Sequence, residues 1–119
     1  MKLLIREFIG PDCLTVDDGQ VVYNEIYPEL LANRSVILDF ANVGAFASPF
    51  FNYAIGQLLK DITSEQLNRL LSIENINPIG KDTLSQVIKN AKERYANPDI
   101  YGSIGNALEQ ILNGEKEIR

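Results

Sequence analysis

Apolar positions recur along the chain with two different spacings, and the changes between them mark out its elements. Lys2–Phe8 predicts a first strand, closed by a Gly10-Pro11-Asp12 turn. Cys13–Val16 is short and β-leaning, which predicts a hairpin with the first strand. Val22, Ile26 and Leu30 then repeat every fourth residue, as one stripe of a helix running to about Asn33. Asp17 or Asp18 suits its N-cap, where a carboxylate accepts from free backbone N–H groups. Pro28 should kink that helix or end its first half, because its ring removes one hydrogen bond and clashes upstream.

Ser35–Phe40 contains a continuous apolar run, the pattern of a strand buried on both faces. Ser48-Pro49 reads as a helix start, with Ser48 as N-cap and Pro49 in the first helical position. Phe51, Ala54, Ile55, Leu58 and Leu59 follow at helical spacing. Thr63 or Ser64 opens a short helix, and Leu70–Asn75 predicts another strand. From Asp82, a further N-cap candidate, Leu84, Val87, Ile88, Ala91 and Tyr95 form a stripe that Pro98 closes. A last helix is expected over about 103–113, with Gly114 as its stop and 114–119 as a loose tail. This order predicts one α/β domain with helices packed on a small sheet.

Composition narrows the chemistry. The chain has 119 residues, 45% of them hydrophobic, with no His and a single Cys. A domain of that size can bury a full core without disulfide or metal staples. The absence of His and of a second Cys is taken to exclude zinc sites, Ser-His-Asp and Cys-His catalysis, Cys-pair redox motifs and intrachain disulfides. The formal net charge of −5 disfavours phosphate backbones and anionic lipid surfaces. No apolar stretch approaches the roughly 20 residues that span a bilayer. With no signal-peptide pattern at Met1–Phe8 and an unpaired Cys13, a cytoplasmic protein is expected, with no cofactor, no metal, no nucleic-acid partner and no membrane partner.

Four features invite a catalytic, phosphate-binding or nucleic-acid reading, and each has a plainer structural one. Asp17-Asp18 followed by Asp39 resembles a receiver's acid set, but only twenty residues separate Asp18 from Asp39, too few for the intervening βα unit. Asp39, at the end of a buried strand, suits hydrogen bonding to loop N–H groups better than catalysis without a neighbouring acid or base. Gly102-Ser103-Ile104-Gly105 lacks the Lys-Ser/Thr ending of a phosphate loop. Lys81, Lys89, Lys92 and Arg94 are interleaved with Asp82 and Glu93, as on a solvated helix face.

What remains is one unit: the strand through Val43, the loop Gly44-Ala45-Phe46-Ala47, and the helix from Ser48 to Leu59. Val36-Ile37-Leu38-Asp39-Phe40-Ala41-Asn42-Val43 resembles the apolar-Asp-Phe-x-x-Val strand of the STAS-like domain family, relatives of the anti-sigma factor antagonists. Ser48–Leu59 is similar to the family's Ser-x-Phe helix opening and later Gly-x-Leu. Thr15–Gly19 looks like its approach to the first helix, and Leu71–Asn75 like its next strand. The resemblance implies an α/β fold with a small mixed sheet of about four strands. It also implies a non-enzymatic regulatory module that docks a protein partner, which in the related anti-sigma factor antagonists is a histidine-kinase-like ATPase.

Many of those antagonists are phosphorylated on a Ser at this helix start. Here the usual acceptor position falls on Pro49, which has no hydroxyl, and Ser48 stands one residue earlier, as N-cap or as phosphosite. The expected partner surface comprises Phe46, Ser48, Pro49, Phe50, Tyr53 and Gln57, an aromatic cluster beside a helix start. Phe46 and Phe50 have a second reading as ordinary core beneath the loop. Two alternatives stand beside docking: phosphoryl acceptance on Ser48, and homodimerisation through Ile104, Leu108, Ile111 and Leu112.

Overall fold

In the computed structural model, residues 1–95 are described, and the expected helix over 103–113 and tail over 114–119 lie outside them. Met1–Ile88 forms one compact unit. Within it, three strands form a parallel sheet in the order β1 (Lys2–Leu4), β3 (Val36–Asp39), β5 (Leu71–Glu74). Leu3, Leu38 and Ile73 share one register level, and Leu4, Asp39 and Glu74 the next. A second parallel pair joins β2 (Asp12–Cys13) to β4 (Ala45–Phe46). The backbone bonds from Gly44 N–H to Pro11 O and from Ala47 N–H to Cys13 O extend this pair at both ends.

The mixed sheet of about four strands is thus replaced by two small parallel sheets. The predicted hairpin is absent, because β2 pairs with β4 rather than with β1. The predicted first strand is also shorter. Only Lys2–Leu4 is extended, and Ile5–Ile9 is a short helix, α1. Ile5 and Ile9 stand four apart, so one helical turn puts Ile5 fully inside and leaves Ile9 half-buried beside it.

Helix α2 runs Val16–Leu31 and buries Gly19, Val22, Ile26 and Leu30, as its spacing predicts. Its cap is Thr15 rather than Asp17 or Asp18: Thr15 Oγ1 accepts from Asp18 N–H at 3.1 Å. The two acids fall in the first turn, where the helix dipole favours them. Pro28 lies in the last turn, and the helix continues past it to Leu31.

Between β3 and β5 come α3 (Ser48–Ala54), a 3₁₀ turn (Gly56–Lys60) and α4 (Ser64–Leu70). Thr63 caps α4 reciprocally with Gln66: Thr63 Oγ1 accepts from Gln66 N–H, and Gln66 Oε1 from Thr63 N–H. Helix α5 spans Pro78–Tyr95 and begins before Asp82, since Asn77 Oδ1 accepts from Gly80 N–H at 2.8 Å and caps it. Val36, Leu38, Val22, Ile26, Phe50, Phe51, Ile55 and Leu58 form the centre of the core. The other face of the three-stranded sheet carries Lys2, Ile37 and Ser72, of which Lys2 and Ser72 are exposed.

Candidate functional site

The strand–loop–helix unit is built around Asp39, the one charged residue among the buried ones described. Its Oδ1 accepts from Ala41 N–H at 2.9 Å and from Asn75 Nδ2 at 3.0 Å, while Oδ2 lies 3.6 Å from Lys2 Nζ. The carboxylate thereby ties the loop after β3 to the loop after β5. Asn42 and Asn75 both take the left-handed conformation (φ 64° and 59°), which Asn tolerates better than most side chains. Asp39 is structural, as its position at the strand end predicts.

The Asn75 amide, then the Ala41 N–H, then the Lys2 ammonium hold the Asp39 carboxyl below its ordinary 3.8, with burial opposing them. A lowered folded pKa contributes stability that is complete above the unfolded value and lost as pH falls through the folded one. The urea midpoint of the wild type should therefore fall more steeply below about pH 4 than that of Asp39→Asn. Parallel slopes for the two proteins would show that the carboxylate adds nothing.

From Asp39 the chain turns through the loop into β4 and α3, and here the predicted surface residues separate into two sets. Phe50 is fully buried and belongs to the core, which corrects its assignment to the partner surface. Phe46 is half-buried, with its ring stacked on Phe51 at 5.6 Å and tilted against Phe40 at 5.8 Å. The aromatic cluster is therefore interior: Phe51 also meets Phe40 at 6.0 Å and Phe50 at 5.3 Å. Gly80 on α5 lies so close to Phe46 that a Cβ there would stand 2.8 Å from the ring.

Ser48, Pro49 and Tyr53 are exposed, and Gln57 is half-buried. Pro49, Tyr53 and Gln57 succeed one another at intervals of four, so they follow one line along the surface of α3 into the 3₁₀ turn. Ser48 is not the N-cap. Ala47 occupies that position in extended backbone, and Ser48 is the first helical residue, its hydroxyl without a hydrogen-bond partner among the described residues. Phe50 N–H bonds Ala47 O at 3.2 Å instead, so the turn closes without a side-chain cap.

Helix α2 supplies the rest of the surface, and the sequence reading missed it. Gln57 Nε2 donates to Gln20 Oε1 at 3.1 Å and to Tyr53 O at 2.7 Å, and Gln20 Nε2 donates to Asn24 Oδ1 at 2.9 Å. Val16, Gln20 and Asn24 repeat every fourth residue on α2, alongside the Pro49-Tyr53-Gln57 line of α3. The two helices approach closely because residue 19 is glycine. A Cβ there would overlap the Phe50 carbonyl oxygen and stand 3.0 Å from Tyr53 Cβ. In the sequence Gly19 stands out only as part of the Thr15–Gly19 approach to α2. Its occurrence at a buried helical position, where glycine costs stability, was the available signal.

The resulting ridge of Val16, Gln20, Asn24, Pro49, Tyr53 and Gln57 carries no formal charge. Val16 is 40% and Tyr53 42% exposed. Cys13, below it, is fully enclosed; burial first, then Asp18 and Asp12, push its thiol up to about 12, so it is an inert part of the core. Among the described residues no group of His, Cys, Asp or Glu is placed to hold a metal ion, and no helix is long and apolar enough to cross a membrane.

Comparison with known proteins gives one result. Neither the curated proteins nor the solved structures contain a match to this chain. The family model for the STAS-like domain of unknown function matches residues 18–81, from the first turn of α2 through β3, β4, α3, α4 and β5 to the first turn of α5. The matched segment includes Gly19, the Asp39–Asn75 tie and the whole α3 surface, and it covers more than half of the 119 residues. The chain belongs to the family of STAS-like domains of unknown function (DUF4325).

Proposed function

We propose that this protein is a non-catalytic regulatory module that docks a protein partner through the exposed line of α3 and the helix beside it. The observation that carries this reading is the uncharged Pro49-Tyr53-Gln57 line, with Tyr53 standing 42% exposed over a rigid aromatic core. Interfaces are enriched in aromatic residues and depleted of charge at their centres, and this ridge has both properties. The partner is a protein, and the resemblance to anti-sigma factor antagonists favours a histidine-kinase-like ATPase. Affinity capture with wild-type chain and a Tyr53→Glu variant tests the reading. Tyr53→Glu should retain its fold, because the side chain is on the surface, and should lose the partner that the wild type recovers. Equal recovery by both would remove this surface.

A second reading is favoured by one observation. The Ser48 hydroxyl is exposed and not engaged in capping, so it is open to a phosphoryl donor. Phosphorylation would add about −1.5 to −2 charge to the end of the ridge and so switch its docking. Incubation with the cognate kinase and ATP should give one phosphate's gain in intact mass, abolished by Ser48→Ala. No gain, or an equal gain in Ser48→Ala, would leave a constitutive binder.

A further inference from the structure

At the C-terminal end of α2 an open cleft of about 430 Å³ lies between the helix end and the segment that leads from the 3₁₀ turn into α4. Small-molecule sites occupy about 300–1,000 Å³. Leu30, Ile62 and Leu70, all buried, make the floor of this cleft, and Leu31, 54% exposed, an apolar wall. Two hydrogen bonds tie its sides together. Tyr27 Oη donates to Asp61 Oδ2 at 2.9 Å, and Arg69 Nη2 donates to Asn33 Oδ1 at 3.2 Å. Tyr27 and Asn33 stand six positions apart, about 9 Å at the rise of a helix. Asp61 and Arg69 thus line one cleft with opposite charges, yet each is held by a neutral group, and they form no ion pair with each other. The polar atoms left over are sorted by sign. On the Arg69 side, its other guanidinium N–H groups, Asn33 Nδ2 and Gln66 Nε2 are donors without an acceptor among the described residues. On the Asp61 side, Oδ1 is an acceptor without a donor among them.

We infer that this cleft binds a free α-amino acid with an apolar side chain. The carboxylate of the ligand meets Arg69 and Asn33, its ammonium group meets Asp61, and its side chain lies on Leu30, Ile62 and Leu70. A simple anion would face the Asp61 carboxylate, and a simple cation the Arg69 guanidinium, so each is disfavoured by one side of the cleft. A wholly apolar ligand would take both charges out of water without pairing either. A ligand with both charges close together satisfies both sides. Two hydrogen bonds of about 2.9 Å and the roughly 3 Å between an amino acid's nitrogen and its carboxylate oxygen span about 9 Å, close to the spacing of the two ties. The cleft shares no residue with the docking ridge, so the inference does not rest on that reading.

Leucine, isoleucine, methionine and phenylalanine, each titrated into the isotope-labelled full chain and followed by amide chemical shifts, test this. At least one should saturate shifts centred on Leu31, Asn33, Ile62 and Arg69, with a Kd of about 1 mM or tighter, which so small a ligand can reach. The amide and the N-acetyl derivative of that amino acid each lack one charge and should bind about three- to tenfold more weakly. Arg69→Gln and Asp61→Asn should each weaken the parent amino acid by a similar factor. Both positions are exposed, so both variants should keep the fold, which the remaining amide shifts report. No saturable shift at the cleft from any of the four at about 10 mM, tenfold above the expected Kd, would overturn the inference. Binding unchanged in both variants would overturn it as well. So would equal binding of the N-acetyl derivative, which fits a peptide C-terminus instead, or of the amide, which fits an N-terminus. The Tyr53→Glu capture judges the docking reading separately.

Discussion

Replacing Phe51 with Ala should cost about 3–5 kcal/mol, a large share of the total stability of a small domain. Phe51 is fully buried and is the hub of the aromatic cluster, within 6.0 Å of Phe40 and closer to Phe46 and Phe50. Its loss removes both the transfer energy of a phenyl ring and the ring–ring contacts on three sides, and the cavity it leaves lies between parts of the chain that cannot easily close on it. Equilibrium urea unfolding followed by circular dichroism measures this directly. In thermal unfolding the fall in Tm should be on the order of 20 °C. A loss below about 1 kcal/mol would mean that the cluster is loosely packed and cannot be the rigid base on which Tyr53 is presented.

Gly19→Ala is the second decisive substitution, because two effects of opposite sign compete at that position. In an unobstructed helix interior, Gly→Ala gains roughly 0.8–1.0 kcal/mol from propensity. At residue 19, however, the new methyl overlaps the Phe50 carbonyl oxygen and crowds Ala54 N at 3.2 Å, and both obstacles are backbone atoms that cannot swing aside. Helices α2 and α3 must move apart. The expected net result is destabilisation by about 1–3 kcal/mol, together with loss of the Gln20–Gln57 hydrogen bond that joins the ridge. Gly44→Ala is the matched control. Gly44 is exposed with nothing near its Cβ position, so the change should fall within about 0.5 kcal/mol of neutral. Stabilisation by Gly19→Ala would contradict the close approach of the two helices.

How much of this could be read from the sequence depended on how many neighbours in space each residue's role required. The buried stripe of α2, the β3 strand and the capped start of α4 are set by local spacing, and each occurs where that spacing puts it. The short elements were harder. Ile5–Ile9 reads as strand by its β-branched and aromatic content, yet one helical turn buries Ile5 while Arg6 reaches the Asn42 carbonyl. Two helix starts differ from their expected caps. Ser48 precedes Pro49 and does not cap, whereas Asn77 precedes Pro78 and caps α5 ahead of the expected Asp82. The difference lies in the preceding chain: Ala47 is held extended by its bond to Cys13 of the neighbouring strand, and the helix starts one residue earlier than the Ser-Pro pair suggests.

The candidate surface was half legible. Pro49, Tyr53 and Gln57 share one line on the surface of α3, but Phe50 faces inward, because on so short a helix the core claims the positions that pack on α2. The α2 contribution of Val16, Gln20 and Asn24 depends on Gly19 and on a hydrogen bond across 37 positions of sequence, which no local pattern reports.

The most direct test of the central claim is to map the footprint of the captured partner on the isotope-labelled chain by cross-saturation. The account predicts that saturation transfers to the amides of Val16, Gln20, Tyr53 and Gln57 and spares the far face of the three-stranded sheet. A footprint centred on Lys2, Ile37 and Ser72, with the α2–α3 ridge untouched, would contradict it.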